Sequence, residues 1–139
     1  MTLHQPPLFI DTCALSDKEF MKWLRNYSGT KKISSIVYME FCLYFQKKYS
    51  FDAIDKLLLS MKVEIEPFEK KHAKNAVSIM DEQLDSKRCP ACNKLNWNDS
   101  MITAHVPCAP AILVTKNIKD FPDLDGRVKT PREIMGNTN

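Results

Sequence analysis

Apolar residues recur along the chain in two alternating patterns: short unbroken runs, and longer stretches in which they return every three or four positions. The runs at Leu8–Ile10 and Ala111–Val114 are typical of buried strands, Ile33–Ile36 is also predicted to be a strand, and residues 63–65 alternate as a half-exposed strand does. The longer stretches predict helices over about 17–26, 37–48, 51–61, 68–85 and 99–106, with a turn or short helix over 117–121. Short strands separated by helices predict a three-layer α/β/α sandwich with a mainly parallel central sheet.

Length and composition favour a single domain over residues 1–139. The chain has 139 residues, 44% hydrophobic and 27% charged, and no Pro-, Gly- or Ser-rich linker divides it. A chain of this size can bury a core without disulfides or metals. Its three glycines lie far apart, which excludes a glycine-rich dinucleotide motif and a P-loop.

The expected location is the cytoplasm, with no membrane contact. No apolar run reaches the ~20 residues that cross a bilayer, and the first residues do not form a signal peptide. In a reducing compartment the five cysteines are expected to be thiols or metal ligands. The net charge of +3 permits a polyanionic partner without demanding one.

Four acidic residues fall at the ends of predicted elements. Asp11 ends the first strand, Glu40 lies one helical turn past the second, Asp99 sits at a helix start, and Asp120 follows the strand over 111–114. Because ligands bind beyond the carboxyl ends of parallel strands, these carboxylates are expected along one edge of the sheet. Their mutual repulsion requires a cation, and an all-oxygen site suits Mg²⁺ or Mn²⁺.

The motifs around these acids resemble the PIN domain, and in particular the VapC-like toxins of toxin–antitoxin pairs. The resemblance covers about residues 8 to 130 and rests on four segments in order: Phe9-Ile10-Asp11-Thr12, Ile33 to Glu40, Asn98 to Ala104, and Leu113 to Phe121. It implies a metal-dependent endoribonuclease that acts on RNA, is inhibited by an antitoxin protein and forms homodimers.

The resemblance also implies roles for individual residues. Asp11, Glu40, Asp99 and Asp120 would hold the metal, with Asn117 as a further ligand. Small hydroxyl residues would support the site: Thr12 and Ser35 would brace the first and second acids, and Thr115 lies beside Asn117. Basic residues near these motifs are candidates for contacts with RNA phosphates, namely Lys87, Arg88, Lys94, Lys116 and Lys119.

A second motif departs from the family pattern. Cys89, Cys92, His105 and Cys108 have the spacing Cys-x2-Cys-x12-His-x2-Cys, which is plausible for four-ligand zinc. A helix over 99–106 would carry His105 about 9 Å along its axis from Asp99, away from the loop that bears Cys89. Three interpretations stay open: a zinc site, a reactive cysteine pair, and unligated thiols, of which we expect the last.

Two other functions remain as alternatives: a catalytically silent PIN-like module that binds RNA or regulates, and a small zinc protein that binds nucleic acid. An aromatic stripe is expected to lie mainly in the core, with its excess forming a dimer or antitoxin surface; it comprises Tyr38, Phe41, Tyr44, Phe45 and Tyr49. On the helix over 68–85, Ala76, Val77 and Met80 are expected to face inward, and His4 and His72 to lie at the surface.

Overall fold

The structure is a computed structural model that describes residues 5–85, 97–108, 110–121 and 124–136, without the side chains of 82–85, 97–98, 108 and 120. It has five strands: β1 (Leu8–Ile10), β2 (Lys31–Ser34), β3 (Val63–Glu66), β4 (Ile112–Val114) and β5 (Val128–Lys129). Seven α-helices accompany them: α1 (Thr12–Leu15), α2 (Lys18–Arg25), α3 (Ser35–Phe45), α4 (Phe51–Ser60), α5 (Lys70–Asp85), α6 (Trp97–Thr103) and α7 (Pro131–Ile134). Short 3-10 helices cover Val106–Cys108 and Ile118–Asp120.

The strands form one parallel sheet in the order β3-β2-β1-β4-β5. Leu8 of β1 lies opposite Lys31 on one side and Ile112 on the other. The chain moves outward from β1 to β3, then crosses back to β4 and β5. Right-handed connections in opposite directions place their helices on opposite faces, so the α/β sandwich predicted from the sequence is confirmed. The strand order reverses between β1 and β4, where a ligand crevice is expected.

The core lies on the central strands and the helices that cover them. Phe9, Ile33 and Leu113 are buried on neighbouring strands, and Phe20 and Leu24 of α2 pack into the same cluster. Removing a buried phenyl ring from such a core costs about 3–5 kcal/mol. The central strands therefore hold their carboxyl ends in fixed positions.

The second strand lies two residues earlier than predicted. It covers Lys31–Ser34 instead of 33–36, and α3 begins at Ser35 instead of Val37. Ser34 causes the early start, because its hydroxyl accepts a hydrogen bond from the Val37 N–H at 3.1 Å and caps the helix. The earlier start still leaves Glu40 in the second turn of α3.

Other short elements were not predicted or have different ends. The four-residue helix α1 follows β1 directly, with Asp11 as its N-cap. Helix α6 starts at Trp97 and ends at Thr103, before the 106 expected from the sequence. Neither β5 nor α7 was predicted; Thr130 and Glu133 form the capping box of α7.

Among the residues that the structure describes, none of the helices combines the length and apolar character that crossing a membrane would require.

Candidate active site

A cavity of about 480 Å³ lies beyond the carboxyl end of β1. Three carboxylate residues and one amide line it, Asp11, Glu40, Asp99 and Asn117. The remaining lining residues are Thr12, Cys13, Ser16, Tyr44 and Phe45. Four of the five predicted ligand residues therefore share one cavity. The fifth, Asp120, ends the 3-10 helix Ile118–Asp120, and its side chain lies outside the described part of the structure.

Asp11 is held by donors to both of its carboxylate oxygens. Its Oδ1 accepts the Thr12 N–H at 2.8 Å, because Asp11 is the N-cap of α1. Its Oδ2 accepts the Thr115 hydroxyl at 2.8 Å and the Cys13 thiol at 3.2 Å. These bonds come from α1 and from the segment after β4, and they fix the carboxylate at the junction of the two.

Cys13 is a site residue that the sequence analysis missed. Besides donating to Asp11, its sulfur accepts the Lys116 N–H at 3.2 Å. Burial is the largest of the effects that raise the pKa of the Cys13 thiol above its ordinary value. Cys13 is therefore a neutral donor that joins α1 to the residues after β4. Its place two residues after Asp11 was the only indication in the sequence.

Glu40 approaches Asp11 through Thr12. The Thr12 hydroxyl donates to Glu40 Oε1 at 2.9 Å, while the Thr12 N–H donates to Asp11. Burial raises the pKa of Glu40, the Thr12 hydrogen bond acts against that rise, and the negative charge of Asp11 adds to it. The cavity therefore concentrates negative charge.

Asp99 enters the cavity from the first turn of α6. The Thr103 hydroxyl donates to the Asp99 carbonyl at 2.6 Å, which ties the two turns of the helix together. On the same helix Ser100 and Ile102 are buried. The position of Asp99 therefore follows the position of α6.

The cavity has the donors that a hard divalent cation prefers. Its described lining contains three carboxylates and one amide, but no lysine, arginine or histidine. In the described part of the chain, only Glu66, His72 and His105 bring three potential ligand atoms within 4.8 Å of one another, so the cavity acids are spaced more widely. Mg²⁺ retains several water molecules and binds through one or two carboxylates directly. The arrangement therefore fits a partly hydrated cation.

Comparison with known proteins places this chain in a family. The family model for the PIN domain matches residues 8–126. The chain belongs to the PIN domain family. PIN domains are nucleases and generally use divalent metals. A comparison with curated proteins gave no match.

Three solved structures similar to this chain are toxin–antitoxin proteins. A toxin–antitoxin complex from Klebsiella pneumoniae aligns with a TM-score of 0.69 and 23% identity, covering 89% of this chain and 97% of that one. A DNA-bound VapBC from Salmonella typhimurium gives 0.63 and 21%, with 91% and 99% covered. VapBC2 from Rickettsia felis, bound to a promoter DNA fragment, gives 0.64 and 21%, with 89% and 98% covered. At these identities the likeness establishes the fold.

Of the two residues expected to brace the acids, Thr12 contacts Asp11 as expected and Glu40 as well, whereas Ser35 makes a different contact. Between the described residues Ser35 and Glu40 there is no hydrogen bond; the Ser35 hydroxyl instead accepts the Phe68 N–H at 3.2 Å, ahead of α5. Thr12 binds Glu40 through its side chain and Asp11 through its backbone. Thr12 therefore supports both acids, whereas Ser35 fastens the start of α3 to a neighbouring segment.

The residues proposed to contact RNA are only partly described. Lys116 is half-exposed and pairs with Asp17 at 3.2 Å, and Lys119 is exposed. Lys87, Arg88 and Lys94 lie outside the described residues.

The predicted zinc ligands are represented only by His105. It is fully buried, and its Nδ1 lies 2.9 Å from Glu66 Oε1. Cys89 and Cys92, the Cys108 side chain and His4 lie outside the described part of the structure. His72, expected at the surface, is fully buried, so that expectation was wrong.

Proposed function

We propose that the protein is a Mg²⁺- or Mn²⁺-dependent endoribonuclease and the toxin of a type II toxin–antitoxin pair. The observation that carries this proposal is the cavity that joins Asp11, Glu40, Asp99 and Asn117 at the sheet edge. Four chain segments contribute these side chains, and their negative charges have no basic counterpart in the described lining. Since the proposed substrate is found in the cytoplasm, we propose that the protein acts there.

The proposed metal ligands are Asp11, Glu40 and Asp99, with Asn117 and Asp120 as further candidates. Such an ion, when bound, supplies a hydroxide nucleophile at neutral pH and offsets negative charge on the phosphodiester. Thr12, Cys13 and Thr115 keep the carboxylates oriented by the hydrogen bonds described above. Their geometry is fixed before a ligand arrives, which reduces the reorganisation needed during reaction.

The rim of the cavity supports a single-stranded nucleic acid substrate. Tyr44 lies one helical turn after Glu40, lines the cavity and is 74% exposed. An exposed ring beside a phosphodiester site is suited to stacking on an unpaired base. Four basic residues are proposed to contact RNA phosphates: Lys87, Arg88, Lys94 and Lys119. Their contribution to RNA affinity should weaken as the salt concentration rises.

The outer face of α3 supports a protein partner. Met39, Leu43 and Tyr44 are exposed along this helix, and Tyr49 and Phe51 continue the apolar surface toward α4. Part of the aromatic stripe is core as expected, since Phe41 is buried. Exposed apolar area of this kind marks interaction surfaces. We propose that an antitoxin and a second copy of the chain use surfaces of this type, as the complexes with the same fold include an antitoxin.

The test is cleavage of a fluorescently labelled single-stranded RNA by purified protein. The reaction should require Mg²⁺ or Mn²⁺, stop with excess chelator, and be lost in Asp11→Asn. The matched control is Asp52→Asn, which makes the same chemical change on the exposed start of α4 and should cleave at the wild-type rate. Circular dichroism checks that both variants fold.

The outcomes separate the alternatives. Cleavage that persists in excess chelator, or in Asp11→Asn at the wild-type rate, refutes the metal site. RNA binding without cleavage by the metal-loaded wild-type protein favours a silent binding module. Cleavage of a DNA strand of the same sequence at an equal rate refutes the ribonuclease assignment.

A further inference from the structure

A second group of titratable side chains lies outside the cavity lining: Glu66, His72 and His105. Glu66 ends β3, His72 is in the first turn of α5, and His105 follows α6. Both histidines are fully buried, and the Glu66 side chain is 21% exposed. This histidine–glutamate cluster joins three elements, one of which carries Asp99.

The contacts of His105 show which of its ring nitrogens carries a hydrogen. Its Nδ1 lies 2.9 Å from Glu66 Oε1, and Lys32 Nζ lies 3.3 Å from Oε2 of the same carboxylate. Burial acts to raise the pKa of Glu66, but the hydrogen bonds from His105 and Lys32 outweigh it and leave the pKa below its ordinary value. An ionised carboxylate only accepts hydrogen bonds, so His105 Nδ1 carries the hydrogen.

The contacts of His72 define the opposite tautomer. Its Nδ1 accepts the Glu69 N–H at 2.9 Å, so in a neutral ring the hydrogen is on Nε2. That Nε2 lies 2.9 Å from Glu66 Oε1, but the angle between them does not allow a hydrogen bond. The two imidazole rings stack with centroids 3.9 Å apart and planes 26° apart.

These contacts do not fit a metal ion. A metal on His72 Nε2 would need its lone pair and a hydrogen on Nδ1, where the Glu69 N–H already points. Stacked rings also cannot both direct in-plane lone pairs at one ion. In the histidine–glutamate cluster His105 is therefore hydrogen-bonded to the Glu66 carboxylate, and His72 is held beside it by the Glu69 N–H and by stacking on His105.

A proton added to either histidine places a buried N–H where the described residues offer it no acceptor. A proton on His105 would place an N–H on Nε2, which is buried without a partner among the described residues. A proton on His72 would place an N–H opposite the Glu69 N–H. Burial lowers the pKa of His105, the hydrogen bond and charge of Glu66 oppose this, and His72 and Lys71 reinforce it. The charged groups that act on His105 are Glu66 on β3 and Lys71 on α5, while Lys32 on β2 pairs with Glu66 and Glu69 pairs with Lys71.

The network holds the carboxyl end of α6. Besides the His105 contact, Asn75 Nδ2 of α5 donates to the Ala104 carbonyl at 3.1 Å. Ala104 itself packs against Ala76 and Met80 of α5. Helix α6 has only seven residues and carries Asp99 in its first turn, so displacement of its end moves Asp99 as well.

We propose that Glu66, His72 and His105 are positioning residues that hold α6, and with it Asp99, for metal binding, and that acid releases this anchor. The inference rests on the proposed function in one respect, that Asp99 is a metal ligand. It assigns no direct contact with metal or RNA to the three residues.

The first test is the histidine ring spectrum of the metal-free protein. The chain has three histidines, and long-range ¹H–¹⁵N correlation distinguishes their tautomers. His72 should be the Nε2–H form and His105 the Nδ1–H form at pH 7.5, assigned with His4→Gln and His105→Asn. Either ring fully protonated at that pH, or the opposite tautomer, overturns the proposal without reference to the nuclease.

The second test is Mn²⁺ affinity by titration calorimetry. His105→Asn keeps a donor near the Nδ1 position and should keep the wild-type affinity at pH 7.5. His105→Leu removes the donor and should weaken binding about tenfold, the lower end for partners that orient metal ligands. Leu24→Ala is the control, since it removes buried side-chain volume from α2, outside the histidine–glutamate cluster, and should destabilise the fold while leaving the affinity unchanged.

The pH profile separates positioning from general destabilisation. From pH 7.5 to 5.5, the wild type should lose more Mn²⁺ affinity than His105→Asn, because the proposed metal ligands are the same in both proteins and the His105 ring is present only in the wild type. Equal losses, or a His105→Leu affinity equal to wild type, overturn the positioning role alone. A wild-type protein that binds no Mn²⁺ overturns the proposed function and the positioning role together, while the tautomer result remains a separate observation.

Discussion

Replacing Glu40 by Gln should stabilise the metal-free protein and weaken its response to metal. The amide has the shape of the carboxylate, and its Oε1 can still accept the Thr12 hydroxyl that now lies at 2.9 Å. The substitution removes the negative charge of a carboxylate whose pKa is raised first by burial and further by the charge of Asp11. The substitution therefore keeps the shape of the side chain and reduces the repulsion between residues 11 and 40 in the metal-free protein.

The magnitude follows from two opposing effects. Repulsion between two carboxylates a few ångströms apart is about 1–4 kcal/mol, and solvent access to half-buried Glu40 favours the lower part, about 1–2 kcal/mol. Exchanging a charged acceptor for a neutral one forfeits roughly 0.5–1 kcal/mol. The net gain is between about 0 and 1.5 kcal/mol, and each kcal/mol corresponds to a rise in Tm of roughly 3–4 °C for a domain of this size.

The assay is thermal unfolding with excess chelator and again with Mn²⁺. Because the pKa of Glu40 is raised in the folded protein, ionisation of Glu40 lowers the free energy of unfolding of the wild type as pH rises above the ordinary pKa of 4.5. The gain in Glu40→Gln should therefore be present at pH 7.5 and vanish near pH 4. Glu64→Gln, on the exposed part of β3, is the control and should show neither effect. The reasoning would be refuted if Glu40→Gln had a lower Tm than the wild type in chelator, or if Mn²⁺ raised the Tm of Glu40→Gln as much as it raises that of the wild type.

Three further predictions concern groups around the site and the cysteines. Cys13→Ser should keep RNA cleavage near the wild-type rate because a hydroxyl can donate to the same carboxylate, whereas Cys13→Ala should slow it; equal rates in a single-turnover assay would contradict this. Lowering the pH should reduce the free energy of unfolding in two steps. The first begins below about pH 6.5, because His105 is protonated more readily in the unfolded chain than in the folded one, and the second begins below about pH 4.5, as Glu66 is protonated. Urea-unfolding midpoints that do not change from pH 7 to 5 would disprove the first step. Cys89→Ser should change stability by less than about 1 kcal/mol, and protein purified without added metal should contain no zinc by elemental analysis; one equivalent, lost in Cys89→Ser, would establish the zinc alternative instead.

The sheet and the location of the acids could be predicted because they depend on local pattern and parallel topology. Buried runs such as Leu8–Ile10 are recognisable from composition, and parallel strands bring their carboxyl ends to one edge whatever the loops do. That rule suffices to bring Asp11 and Asn117 to one cavity. Boundaries were less accurate, because a single hydroxyl at Ser34 decides where α3 begins.

The cluster around Glu66 could not be predicted, because its members meet only in three dimensions. Glu66 and His105 are 39 positions apart in sequence. Part of the evidence was nevertheless present in α5, where His72, Ala76 and Met80 recur every fourth residue and are all buried. Val77, expected to face inward, is 62% exposed. The buried face of α5 runs through His72, Ala76 and Met80, and Val77 lies beside that face, so the expectation for Val77 was wrong.

The most direct measurement of the central claim is anomalous diffraction at the manganese edge from crystals grown with Mn²⁺. The account predicts manganese in the cavity, among the side chains of Asp11, Glu40 and Asp99, and none at the histidine–glutamate cluster. Manganese bound between His72 and His105, or a cavity without manganese at millimolar concentration, would contradict it.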